Sequence, residues 1–336
     1  MTMLTLVTGG AGFVGRPLAA ALRARGERVR VFDLAAPAHD DDIQGSVTDA
    51  EAVRSAMSNV GSVFHLAGNA QLWARNPRMF DEVNNRGTEI VTAAALAARV
   101  QRFVHCASLT TLVGRKTPIG VSSADETTHV AIDDMLGAYP QSKGRADAAV
   151  RRAIDAGLDA ITAIPTEPLG PGDHAMTPPT KMILDFARGA TPAYIDCILN
   201  FVPTKSLADG LIAARDRGAV GERYIFGGEN TPMAMLLEMI ATRAGRAAPK
   251  TRLPYWVALA AGIVDTHIVA PVTNKPPAAP LTGVRLAGRR VSFSSEKAAR
   301  ELGWRAGSLS TALDETFSWF REEGLLALND VTQLES

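Results

Sequence analysis

The sequence offers little sulfur chemistry. Its 336 residues include two cysteines, Cys106 and Cys197. Two cannot form a disulfide framework, and no CxxC motif or Cys/His cluster marks a metal site, so no metal is expected. Cys106 lies in the apolar run RFVHCAS and reads as a small buried residue. There is no charge surplus either: 35 Lys and Arg balance 35 Asp and Glu. Nucleic-acid binding draws on a basic excess, so that partner class is excluded. Internal repeats and low-complexity tracts are absent. The N-terminus enters the apolar run LTLVTGG with no basic leader or cleavage site, and the expected location is therefore cytoplasmic. No uninterrupted apolar run reaches the roughly 20 residues of a bilayer span. The nearest, YWVALAAGIVDTHIVAPV (Tyr255 to Val272), is broken by Asp265 and His267. It is expected to be a buried helix of a smaller second unit. The alternative is an interfacial helix or a greasy lid over an apolar substrate.

What is present is a core and a rhythm. Hydrophobic residues make up 46% of the chain, enough for one large domain or two interlocked ones. Short β-branched runs alternate with helical patterns: LTLVT, RVRVFDL, VGSVFHLAG, VQRFVHCAS and GLDAITAIP are separated by stretches of helical spacing. This alternation predicts an α/β fold, a doubly wound parallel sheet covered by helices on both faces. After about Gly170 the texture changes to Pro- and Gly-rich loops, further helices and short strands. The expected division is a dinucleotide-binding unit over 1–168, with 204–220 packing back onto it. A smaller α/β unit is expected over 169–203 and 221–325, followed by a frayed tail at 326–336.

The segment TGGAGFVG spaces Gly9, Gly12 and Gly15 between a strand and a helix. Side chains there would hold the backbone away from a pyrophosphate. Without them, a helix N-terminus can present free N–H groups and its positive dipole end to the anion. Asp33 ends the second strand, 18 residues after Gly15, near the spacing of a carboxylate that bonds a ribose diol. It would repel a 2′-phosphate, and Arg30 on the same strand does not obviously compensate, so NAD(H) is favoured over NADP(H).

AYPQSK places Tyr139 four residues before Lys143, on one helix face. A tyrosine titrates near pH 10 and is a poor base at neutrality. A neighbouring ammonium favours its phenolate. Alone, the pair reads as a solvated helix face. Behind a dinucleotide turn, and with Ser108 just past a strand end, it reads as acid/base chemistry beside a hydride carrier.

TGGAGFVG, HLAG (65–68), VNNRGT (83–88), Ser108, YPQSK and PLGPGD (168–173) occur in this order and together resemble the extended short-chain dehydrogenases/reductases over nearly the whole chain. PAYIDCILNFV and GERYIFGGEN further resemble the hopanoid-associated, dihydroflavonol-reductase-like branch, which includes enzymes labelled sugar epimerases and relatives acting on 3β-hydroxysteroids and keto-lipids. The resemblance implies a Rossmann domain with a smaller C-terminal substrate domain. It implies Tyr139 as proton donor or acceptor, Lys143 holding the nicotinamide ribose and lowering the tyrosine's pKa, and Ser108 bonding the substrate oxygen. Gly9, Gly12, Phe13, Val14 and Gly15 would seat the pyrophosphate and Asp33 the adenosine ribose. Ala67, Gly68 and Pro165 would line the cofactor path, and Asn84 would support it. A homodimer through the helix of Asn84 to Ala98 and the Tyr139 helix is also implied.

The sequence departs from the nucleotide-sugar epimerases of that family where they hold a diphosphate. Glu167 stands for their asparagine, Ile164 for their arginine and Leu169 for their tyrosine, and Leu199 replaces the arginine that pairs with phosphates. These exchanges make a poor anion site. Ser46 replaces an aspartate that reads the adenine, with Asp49 nearby as a helix-start residue. Thr110, Glu167, Leu169, Tyr194 and Leu199 are the candidate substrate contacts. With Met176, Met182, Leu184, Phe186, Ile198 and Phe201 they suit an apolar, lipid-like small molecule. The expected activity is alcohol–ketone interconversion on a 3-hydroxy/3-keto sterol or triterpenoid, or a 3-keto sphingolipid or ceramide. A lipid substrate implies access to a membrane, so peripheral contact is left open beside the cytoplasmic location. The rival readings are a sugar epimerase that retains its NAD and a non-catalytic dinucleotide sensor.

Overall fold

The computed structural model describes residues 4–326. Seven strands form one parallel sheet, in the spatial order Arg223–Phe226, Ala160–Pro165, Arg102–Cys106, Val60–His65, Leu4–Thr8, Arg28–Asp33 and Ile43–Gln44. The central strands are buried on both faces, which is why LTLVT, VGSVFH and AITAIP read as continuous apolar runs rather than alternating ones. On one face, the helices Gly15–Ala24 and Thr204–Arg217 pack together, and Leu18, Leu22, Leu207, Leu211 and Phe226 share a core. On the other, Ala50–Ala56, Gly87–Ala97 and Ala138–Asp155 cover the sheet through Val53, Val91, Ala95 and Val150, which meet Phe103. The strand order reverses between Leu4–Thr8 and Val60–His65. In such sheets that switch point opens a crevice beyond the carboxyl ends of the strands.

One strand lies outside the unit to which sequence analysis assigns it. Residues 221–325 are expected in the smaller unit, yet Arg223–Phe226 pairs in parallel with Ala160–Pro165 and extends the main sheet. Helix Thr204–Arg217 packs against Gly15–Ala24 and returns the chain to the sheet edge as a crossover connection. The remainder centres on a three-stranded sheet of Asn230–Pro232, Ile198–Pro203 and Glu167–Leu169. Helices Pro178–Ala187, Met233–Ala244 and Leu309–Glu322 enclose Leu184, Phe201, Leu237, Leu313 and Phe320 beside it. Leu326, the first residue of the expected frayed tail, packs on this cluster and donates its N–H to the Phe320 carbonyl. Residues 327–336 lie outside the described residues.

The segment expected as a buried helix is corrected by the structure. Tyr255–Val264, a π turn at Asp265–Val269 and Ala270–Thr273 form one 19-residue helical run. Its large residues face outward: Trp256 is 72% exposed, Ile268 59% and Val272 78%. The small residues Ala258, Gly262 and Ala270 face inward. A Cβ on Gly262 would press on Val284 and Leu281, so the inner face is matched to the close approach of helix Leu281–Ala287.

Candidate active site

The glycine turn follows strand Leu4–Thr8 and meets the neighbouring strand's extension. Gly9 has φ +69, and a Cβ there would lie 2.7 Å from the Ala67 backbone nitrogen. A Cβ on Gly15 would overlap the Gly9 carbonyl. Both positions therefore require glycine, and the turn is folded tightly onto the start of helix Gly15–Ala24, with Phe13 and Val14 half-buried before it. Replacing Gly15 by alanine is expected to destabilise the fold by roughly 1–3 kcal/mol. It should also weaken dinucleotide binding about tenfold or more; thermal unfolding and a fluorescence titration check the two effects.

Asp33 closes the turn from the second strand. Its Oδ2 accepts from Ala11 N at 3.0 Å and its Oδ1 from Ala35 N at 3.1 Å. Arg30 points elsewhere, donating to the carbonyls of Asp41, Ala56 and Ser58. Ser46 bonds Thr48 at 2.7 Å, and Asp49 caps helix Ala50–Ala56 through Glu51 N and Ala52 N.

Tyr139, Ser142, Lys143, Ala146, Asp147 and Val150 form the buried face of helix Ala138–Asp155. Tyr139 Oη donates to Ser108 Oγ at 3.3 Å. Ser108 in turn lies 3.0 Å from Thr110 Oγ1, and all three side chains are buried. Lys143 Nζ donates to the Cys106 carbonyl at 2.6 Å. Asn84 sits in a π turn, Asp81–Arg86, a geometry that recurs at functional sites. Its Oδ1 accepts from Asn69 N at 2.7 Å and its Nδ2 donates to Ser142 Oγ at 2.9 Å. Ser142 donates back to the Tyr139 carbonyl at 2.7 Å. A Cβ on Gly68 would lie 2.9 Å from Asn84 Oδ1 and would disturb this link.

A model of the NAD dependent epimerase/dehydratase family matches residues 5–200, from the glycine turn through both sides of the Tyr139 helix. The chain belongs to this family. A Synechocystis sp. protein with the provisional name dihydroflavonol 4-reductase is 31% identical over 95% of this chain and 94% of its own. Sterol demethylase protein B of Methylococcus capsulatus is 29% identical over 96% and 100%. The crystal structure of gox2253 superposes with a TM-score of 0.83 at 33% identity, covering 97% of this chain and all of that one. The protein is thus an oxidoreductase of the extended short-chain dehydrogenase/reductase type, with a Rossmann fold.

Burial dominates the electrostatics of the Tyr139–Lys143 pair. Lys143 is expected to lower the tyrosine's pKa. Burial instead pushes the Tyr139 phenol up to about 12, only partly opposed by the Ser108 hydrogen bond. The lysine's Nζ is committed to the Cys106 carbonyl, and burial lowers its own pKa. Low polarity penalises both charged forms together.

The candidate substrate residues divide. Thr110 joins the Ser108 cluster. Glu167 lies two residues beyond strand Ala160–Pro165, whose Pro165 is buried. Its Oε2 is sealed without a partner, and burial pushes the carboxyl up to about 8. Tyr194 and Leu199 are half-buried against the second core. Leu169 is a correction: at 0% exposure it packs with Ile183 and Phe201 inside that core and has no surface for a ligand.

Sequence reasoning missed a buried polar layer beneath the site. His65 bridges Thr8 Oγ1 at 2.7 Å and Thr88 Oγ1 at 3.0 Å. His105 stacks on it with ring centroids 5.8 Å apart and meets Asp147 Oδ1 at 3.1 Å. Burial lowers the pKa of both imidazoles. Asp147 was legible as the residue four after Lys143 on the same helix face. The histidines carry no local signal, because strand alternation alone does not say that two polar side chains meet across parallel strands.

Proposed function

We propose that the protein interconverts a secondary alcohol and a ketone on an apolar, lipid-like substrate, using NAD(H), with Tyr139 as proton donor and acceptor. The observation that carries this reading is the Tyr139 Oη–Ser108 Oγ hydrogen bond of 3.3 Å, at the carboxyl edge of the same sheet that carries the glycine turn. The dinucleotide, when bound, supplies or takes the hydride. A phenol held at about 12 carries its proton at neutral pH and can give it to a carbonyl oxygen. Ser108 steadies that oxygen, and Thr110 orients Ser108. Lys143, which donates to the Cys106 carbonyl, would use its remaining ammonium protons to hold the nicotinamide ribose. Asn84 positions the helix by tying Ser142 to the loop at Asn69. Gly9, Gly12, Phe13, Val14 and Gly15 would seat the pyrophosphate, with Ala67, Gly68 and Pro165 along the path.

Asp33 would bond the adenosine ribose and disfavour a 2′-phosphate. Asp33→Ser is expected to shift the ratio of kcat/KM for NADH over NADPH by about tenfold or more toward NADPH. An unchanged ratio would remove this role.

Several features support an uncharged substrate. Two cations of the smaller unit are already paired: Arg252 and Arg290 both meet Asp196, at 2.6 Å and 3.1 Å. Met176, Met182, Tyr194 and Leu199 are half-buried and apolar. Glu167, protonated below about pH 8, would donate a hydrogen bond to a substrate oxygen rather than repel it. A 3-keto/3-hydroxy sterol or triterpenoid, or a 3-keto sphingolipid, fits this lining, and the relative named for sterol demethylation supports the sterol class. The same reading places a homodimer contact on helices Gly87–Ala97 and Ala138–Asp155, which light scattering checks. NAD(H)-coupled turnover of a panel of keto-sterols, keto-sphingolipids and nucleotide sugars tests the substrate class.

A further inference from the structure

The helical run Tyr255–Thr273 is inverted relative to an ordinary surface helix. Its large exposed apolar residues are Trp256, Ile263, Val264, Ile268, Val269 and Val272, and positions 256, 260, 263, 264, 268 and 272 recur at helical spacing. Two of its polar residues, Asp265 and Thr266, turn inward, while His267 and Thr273 are exposed. Asp265 Oδ2 accepts from Ala279 N at 2.8 Å, and Thr266 Oγ1 accepts from Leu281 N at 2.9 Å, satisfying the start of helix Leu281–Ala287. Two side chains that would normally face water hold a helical hairpin together, while the bulky apolar ones are exposed. The exposed aliphatics are contiguous, not scattered, which marks an interaction surface.

The charge of the sequence flanking this face is one-sided. The chain as a whole is balanced, but between Glu238 and Glu296 it has eight Lys and Arg residues and one carboxylate, Asp265, which is the group turned inward. Lys250 and Arg252 precede the helix and are exposed, Arg252 while also meeting Asp196. Lys275 follows it, and exposed Arg75 joins the same end through its hydrogen bond to Asn274. An apolar stripe with Trp256 at one end and cations at both ends is complementary to an anionic lipid surface: aliphatic side chains enter the acyl boundary, the indole sits at headgroup depth, and lysines meet phosphate. The hairpin's second helix also touches the catalytic unit. Thr282 sits where a Cβ on Gly137 would be, 2.6 Å away, and Gly137 is two residues from Tyr139.

We propose that residues 255–273 lie in the interface of an anionic bilayer, anchoring the protein peripherally with its catalytic cleft beside the lipid. The helix lies on the membrane rather than crossing it, because its inner face is committed to helix Leu281–Ala287. The proposal deepens the lipid-substrate reading but is measured without turnover.

The test is co-sedimentation of the full chain with vesicles of phosphatidylcholine alone and of phosphatidylcholine rich in phosphatidylglycerol. Anionic vesicles should bind at least about tenfold better than neutral ones, and added salt should reduce the difference. Ile263→Ser with Ile268→Ser should cut binding about tenfold or more while leaving reduction of a detergent-dispersed ketone unchanged. Lys250→Gln with Lys275→Gln should abolish the preference for anionic vesicles. No sedimentation with either vesicle, or an undiminished serine variant, would overturn the proposal. So would a serine variant that turns a dimer into a monomer when the parent binds no vesicle; the face would then join two copies of the chain. Vesicle binding without turnover of any lipid ketone would leave the surface standing and remove only the substrate reading.

Discussion

Tyr139→Phe is expected to lower kcat for ketone reduction by about two to four orders of magnitude, with NADH affinity and melting temperature little changed. The substitution removes one oxygen from a ring packed 5.9 Å from the Phe80 ring, and the aromatic packing is retained. Ser108 keeps its contact with Thr110, so no buried hydroxyl is stranded. What disappears is the proton that the phenol holds at neutral pH. Because the folded value is about 12, the phenol stays protonated across the neutral range. The parent's reduction rate should therefore show no step from Tyr139 between roughly pH 6 and 9, whereas oxidation, which needs the phenolate, should rise with pH. Steady-state rates in both directions across pH check this. A Tyr139→Phe enzyme with parental kcat would end the acid/base assignment.

Glu167→Gln is expected to stabilise the protein in alkaline solution and to do nothing in acid. The carboxyl moves from an ordinary value of 4.5 to about 8 on folding because burial disfavours its charge. A raised folded value means that the stability present below pH 4.5 is progressively lost as pH rises through 8. The penalty at pH 9 approaches an upper limit of roughly 5 kcal/mol, since each tenfold change in a proton-binding constant is worth about 1.4 kcal/mol. Glutamine never ionises, so the difference in unfolding free energy between variant and parent should grow from near zero at pH 4.5 to several kcal/mol at pH 9. Denaturant unfolding at the two pH values measures it; equal differences at both would contradict a buried, protonated Glu167. A protonated Glu167 is suited to the hydrogen bond to a substrate oxygen proposed for it.

The parts of the molecule legible in the sequence are those where one residue type satisfies a local constraint. Gly9 and Gly15 announce a turn that only glycine fits, and the buried strands announce themselves as unbroken apolar runs. Tyr139 and Lys143 were readable through helical spacing, and Ser108 through its place after a strand. The rest depends on tertiary neighbours. Nothing in YWVALAAGIV distinguishes a core helix from one with its large side chains outward; the difference is which face meets Leu281–Ala287, and small Ala258 and Gly262 win that contact. Leu169 reads as a pocket residue by its place in a motif, but strand pairing turns it into the second core. Strand Arg223–Phe226 is short and could pair in either unit; the helix before it decides. The Tyr139 pKa depends on how deeply a neighbouring ammonium and phenol are buried together, which spacing alone does not encode.

The most direct test of the central claim is NADH oxidation by the purified protein with a 3-keto sterol in detergent, measured beside UDP-glucose and beside the NAD content of the protein after gel filtration. Stoichiometric NADH consumption with the keto-sterol is expected, with the alcohol as product, no reaction with the nucleotide sugar, and no retained dinucleotide. Tightly retained NAD with sugar epimerisation and no net NADH consumption would contradict that claim.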